Sequence, residues 1–128
     1  MNAGSGALTP ITGSPFSAGT GSPYALGVGN YMGVYSGYGD SLFVTRGDRV
    51  VGYYVNPPAL TASDGYSATT GINPYSVTVD QLHSRLYVTN YGAASVSGYQ
   101  IDDVGGTLTA VPGSPFPAGD SPASIAIL

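Results

Sequence analysis

Apolar and polar residues alternate in short runs along most of this chain, and the runs are clearest between residues 86 and 128. There LYVT (86–89), SVSGYQI (95–101) and TLTAV (107–111) stand in a row. A Gly/Ser/Pro tract, GSPFPAG (113–119), follows them, and then a last apolar run, ASIAIL (123–128). Alternation with a period of two is the pattern of strands that bury one face. Tracts rich in Gly, Ser and Pro between such runs read as turns and crossings. The pattern therefore predicts three antiparallel strands, a crossing, and the start of another strand.

The upstream sequence reads as an earlier, imperfect copy of the same pattern. Gly13-Ser14-Pro15-Phe16 recurs as Gly113-Ser114-Pro115-Phe116, preceded in both places by Gly-x-Leu-Thr and followed by Ala-Gly. Leu42-Phe43-Val44-Thr45 matches Leu86-Tyr87-Val88-Thr89 at an offset of 44. Gly52-Tyr53 matches Gly98-Tyr99 at 46, and Leu60-Thr61 matches Leu108-Thr109 at 48. Pro23-Tyr24 and Pro74-Tyr75 each open an alternating run. A drifting offset around fixed strands is what loop insertions produce. Repeats of roughly 40–50 residues with four strand-like runs have the spacing of propeller blades.

In order, the pattern predicts an outer strand at 7–12 and a crossing at 13–22. Strands at 24–29, 42–45, 50–55 and 59–63 follow, with a turn at Asp64-Gly65 and a worn crossing at 66–73. A second set lies at 75–79, 85–89, 95–101 and 107–111, and a lone inner strand at 123–128. The expected fold is all-β, an incomplete β-propeller of four-stranded antiparallel blades. Its parts are 1–22 (outer strand and crossing), 23–73 (blade), 74–121 (blade) and 122–128 (inner strand). The segment 30–39, NYMGVYSGYG, is longer than its counterpart at 80–85 and reads as a surface loop, or as an aromatic contact surface.

Leu86-Tyr87-Val88-Thr89-Asn90, Ser95-Val96-Ser97-Gly98-Tyr99-Gln100-Ile101-Asp102, Gly106-Thr107-Leu108-Thr109 and the Gly-Ser-Pro-Phe-Pro-Ala-Gly tract resemble the YVTN-type repeat. That repeat belongs to seven-bladed β-propellers similar to the bacterial 6-phosphogluconolactonase-like lactonase family. The resemblance covers nearly the whole chain and concerns residues that build blades rather than a site. It implies a piece of a longer propeller, or a short protein that completes a ring by assembling copies. It also implies that ligands gather on the loops between second and third strands and on the crossings.

Composition narrows the chemistry. The 128 residues include no Lys, Glu, Cys or Trp, and 20 Gly, 10 Pro and 11 Tyr. Good helix formers are scarce, so almost no helix is expected. Three Arg against seven Asp give a net charge of −4, which disfavours a nucleic-acid partner that would need clustered cations. Without cysteine there is neither disulfide nor thiolate chemistry. No run is long and apolar enough to span a bilayer as a helix. The start, Met1 to Gly6, lacks the basic and apolar regions of a signal peptide, although a lysine-free, Ser/Gly/Tyr-rich composition suits a protein exported to the periplasm or cell exterior.

Candidate ligand-binding residues are Arg46, Asp48 and Arg49 on one expected loop and Asn90 and Tyr91 on another. Two guanidiniums can hold a carboxylate or phosphate; the alternative is a solvated turn with a local ion pair. Arg46-Gly47-Asp48 also spells the cell-attachment tripeptide, a match that chance supplies readily. His83, the only imidazole, is expected on a hairpin at the opposite end, with no acidic residue assigned to orient it. No spacing of acidic residues forms a calcium loop or other metal site, and no phosphate-cradling or nucleophile motif is present. Neither a cofactor nor a catalytic residue is therefore assigned. Two functions are expected: a non-catalytic structural or binding module, with a sugar or small anion as ligand and self-association through exposed blade faces, or a fragment of a lactone hydrolase.

Overall fold

The computed structural model describes residues 6–31, 39–56, 59–102 and 107–127. The chain is all-β, 54% strand and 3% helical. Two antiparallel sheets follow one another in sequence. The first is ordered β1 (Pro23–Tyr31), β2 (Gly39–Arg46), β3 (Arg49–Asn56) and β4 (Ala59–Thr69). The second is ordered β5 (Pro74–Asp80), β6 (Arg85–Asn90), β7 (Ser95–Asp102) and β8 (Thr107–Ala110), with the short β9 (Phe116–Pro117) also on β7. The described residues form two stacked sheets and not a closed ring.

Across their first three strands the two sheets repeat each other in register. Leu26 pairs with Val44 and Val44 with Val51 in the first; Val77 pairs with Val88 and Val88 with Ser97 in the second. Both inner strands begin with an irregularity, at Pro23/Ala25 and at Pro74/Ser76. At each, a threonine on the next strand supplies what the ladder lacks: Thr45 Oγ1 accepts from the Ala25 amide and Thr89 Oγ1 from the Ser76 amide, both at 3.0 Å. The repeat therefore extends to how a bulge is satisfied, since an unpaired buried amide is costly.

The outer strands are the place where the copies diverge. In the second sheet β8 pairs with residues 99–102, the chain then makes a turn in which Ser114 donates to Val111, and β9 rejoins β7 at Ser95 and Val96. In the first sheet one strand, β4, does both jobs, with an irregularity between Val51 and Tyr53. The expected turn at Asp64-Gly65 and the crossing from 66 are thus replaced by strand up to Thr69. Gly52 makes this possible, because a Cβ there would stand 2.4 Å from the Cβ of Tyr66. Gly98 has the same role beneath Val111 and Phe116, at 2.9 and 3.3 Å.

Two other expected strands are absent. Residues 7–12 and 123–127 carry no strand, and Leu8, Ile11 and Ile127 are exposed. A strand needs a ladder partner, and neither segment joins a ladder among the described residues. Their flanking tract nevertheless keeps its shape: Ser14 donates to Ile11 as Ser114 does to Val111, and Gly13 and Gly113 share a positive φ. The core lies between the sheets. Phe43, Val50 and Tyr66 of the first meet Val77, Leu86, Val88, Tyr99 and Ile101 of the second. Full burial of each aliphatic side chain is worth roughly 1.5–3 kcal/mol. β1 and β5 approach closely because Gly27 has no side chain; a Cβ would lie 3.2 Å from the Val77 carbonyl oxygen. The aromatic insert expected at 30–39 falls mostly outside the described residues, apart from the paired ends of β1 and β2.

Candidate functional site

The turns joining β2 to β3 and β6 to β7 lie at one end of the sheets, and the crossing at 70–73 ties them together. Thr70 donates its amide to the Asp48 carbonyl, Gly71 to the Asn90 side chain, and the amides of Tyr91 and Gly92 donate to Asn73 and Ile72. The β6–β7 connection is one 3-10 turn, Tyr91–Ala93, closed by Ala94 in the left-handed region at φ 46°. Close approach of the crossing depends on Gly71, whose Cβ would stand 2.8 Å from Asn90. All five predicted ligand residues therefore sit at this end, but they are not equally available.

Asn90 is fully buried. Its Oδ1 accepts from Gly71, and its Nδ2 donates to Ser95 Oγ at 3.0 Å and Ser97 Oγ at 2.9 Å. It is a clamp between crossing and sheet. Arg46 is likewise engaged: its Nη1 donates to the Thr20 carbonyl at 2.6 Å, beneath the crossing at 19–21. Its Nε is buried with no hydrogen-bond partner. An arginine so placed does not read out as part of an attachment tripeptide. Asp48 and Arg49 are exposed and stand 3.7 Å apart. An ion pair of this kind in water contributes little to stability.

Tyr91 belongs to a row that the sequence pattern did not reveal. Its ring lies 5.5 Å from that of Tyr75, which stacks on Tyr24 at 6.2 Å. All three rings are partly exposed. The Tyr24 and Tyr75 rings stack at 28° and the Tyr75 and Tyr91 rings are tilted at 36°, so neighbouring rings partly cover one another. Pro-Tyr at the head of both inner strands was the available signal, and it reads equally well as a strand opening.

A cleft of about 620 Å³ runs between the sheets along their outer strands. Its lining includes Thr69, Thr70, Ser97, Tyr99, Leu108 and Ser114. The Tyr99 hydroxyl crosses it to donate to the Thr69 carbonyl. Burial raises the Tyr99 pKa, against a smaller downward effect of the Ser97 hydroxyl. Among the described residues that line it there is neither a histidine nor a carboxylate.

His83 lies at the other end, on the β5–β6 hairpin, as expected. Contrary to expectation it has an acidic partner. Its Nδ1 is 2.8 Å from Asp80 Oδ2, while Asp80 Oδ1 accepts from the Leu82 and His83 amides. Desolvation acts upward on the Asp80 pKa, but the His83 ring bond, the amides and the His83 charge together bring it below its ordinary value. The pair staples a turn, and both backbone bonds fall within three residues. Among the described residues no group of three His, Cys, Asp or Glu could hold a metal ion, and no helix is long and apolar enough to cross a membrane. No family model matches the chain, and no curated protein or solved structure matches it either.

Proposed function

We propose that this chain is a non-catalytic β-propeller repeat module with a structural and binding role, its two sheets being successive blades. One observation carries the reading. The registers of the two sheets match position by position, yet the matching faces point the same way along the stack. The side of the second sheet that meets the first is built from Leu86, Val88 and Tyr99, the counterparts of Leu42, Val44 and Tyr53 on the outward side of the first. Front-to-back stacking of like sheets is the relation between neighbouring blades. The binding role falls to the turn-bearing end, where Arg49 and the tyrosine row are exposed and open to a sugar or small anion.

The alternative, a fragment of a lactone hydrolase, draws on the sequence resemblance and finds no added support in the described side chains. Arg46 is spent on the crossing, and the histidine lies at the far end. The deciding experiment is titration of acid release from a sugar lactone and its 6-phosphate at neutral pH. The expected rate equals that of buffer. A protein-dependent rate that drops in Arg49→Ala would overturn the module reading in favour of the hydrolase.

A further inference from the structure

Each sheet has one face that meets the other sheet and one that does not, and the outward faces, only partly covered, are counterparts of the inward ones. On the outward side of the first sheet lie Leu26, Val28, Leu42, Val44, Val51 and Tyr53. By strand alternation their counterparts in the second sheet are Val77, Val79, Leu86, Val88, Ser97 and Tyr99. The two sets differ in burial along the first strand, where Leu26 and Val28 are 59% and 53% exposed and Val77, the counterpart of Leu26, is 7% exposed beneath the first sheet; at Val44, Val51 and Tyr53 both sets are buried. The far side follows the same correspondence. Phe43, Val50 and Gly52 of the first sheet cover the second; their counterparts Tyr87, Val96 and Gly98 point outward from the second.

We propose that the outward face of the first sheet is the docking surface for the outward face of the second sheet of another copy of this chain, in a head-to-tail contact. This rests on the module reading and names its partner. The contact inside the chain already displays the geometry, since each outward face has the residue pattern of a face that the other sheet type covers. Charge agrees with it. Asp40 shares the outward side of β2 with Leu42 and Val44, and Arg85 shares the outward side of β6 with Tyr87. Both are exposed and both lie at the end of the sheets that carries the β1–β2 and β5–β6 connections. Their counterparts, Ser84 and Ser41, lie at that same end of the internal contact. Stacking a copy in the same relation therefore places Arg85 of one chain and Asp40 of the next at the same end of the contact, with opposite charges. A cleft of about 350 Å³ on the first sheet, walled by Pro15, Phe16, Leu26, Val44 and Tyr53, lies within this surface. A contact between two different faces is heterologous, so it leaves one outward face at each end of a pair and further copies can add.

The test is light scattering on the purified full chain over a range of concentrations, with circular dichroism on the same samples. The expected result is a β-rich species of two or more chains whose mass rises with concentration. Leu26→Glu, at an exposed position that costs the fold little, is expected to give a β-rich monomer. Asp40→Arg and Arg85→Asp are each expected to weaken association at least tenfold, and the two changes in one chain to restore it. A wild-type monomer, β-rich or disordered, overturns the proposal. So does an assembly indifferent to Leu26→Glu, or one that the double charge exchange fails to restore. The module reading is judged separately by the lactone titration: a β-rich monomer without hydrolysis removes the docking contact and leaves that reading standing.

Discussion

Asn90 shows how much of this fold depends on single polar side chains. One buried amide holds the crossing through Gly71 and the first residues of β7 through Ser95 and Ser97. Asn90→Ala leaves a buried amide hydrogen and two hydroxyls without that partner, each loss costing about 1–3 kcal/mol. The expected outcome is a lower urea midpoint with an unchanged slope, and faster exchange of the Gly71 amide. A substitution that changed ligand binding while leaving the midpoint in place would show instead that Asn90 serves a ligand. Its position after a strand made it resemble a loop ligand. In the sequence, the residues that consume its hydrogen bonds lie 5, 7 and 19 positions away, and nothing local announces them.

At the scale of the element, legibility follows the ladder. Alternating runs such as 86–89 and 95–101 state both a strand and its buried face, and these became β6 and β7. Runs 7–12 and 123–128 have the same pattern, but a strand also requires a neighbour, which the pattern of one segment does not supply. Asp64-Gly65 has turn chemistry and still lies within β4, because Gly52 opposite gives room for Tyr66. The orienting of His83 was hidden for a related reason, since Asp80 reads as an ordinary turn residue until its carboxylate is seen to accept three bonds. That hairpin has a pH signature. The Asp80 pKa is lowered in the folded chain, so its contribution is present above the ordinary carboxylate value and is lost as pH falls through the lowered one. The protection of the Leu82 and His83 amides, taken relative to their intrinsic exchange rates, is expected to fall on acidification below about pH 4. In Asp80→Asn the hairpin is expected to be looser at neutral pH and to lose that acid dependence. An acid limb that persisted in the variant would assign it to another group.

For the whole molecule, the stacking of two like sheets explains why the pattern gave the architecture more readily than the chemistry. The repeated residues are those that build and join sheets, and the turn-bearing end is mostly consumed in holding crossings down. What remains accessible there is Asp48, Arg49 and the tyrosine row, and the row has an optical consequence. The chain has no tryptophan, so its near-ultraviolet circular dichroism comes chiefly from tyrosines. Tyr24 belongs to the first sheet, Tyr75 to the second and Tyr91 to the turn after β6, and the rings are close enough for their transitions to couple. The near-ultraviolet band should therefore report on the seating of one sheet against the other, as the far-ultraviolet band reports on the ladders. Tyr75→Ala is expected to diminish the near-ultraviolet band with little change in the far-ultraviolet; an unchanged near-ultraviolet band would mean the rings are not coupled in solution. The protein thus has a built-in, label-free gauge of whether its halves are together, readable at any stage of unfolding.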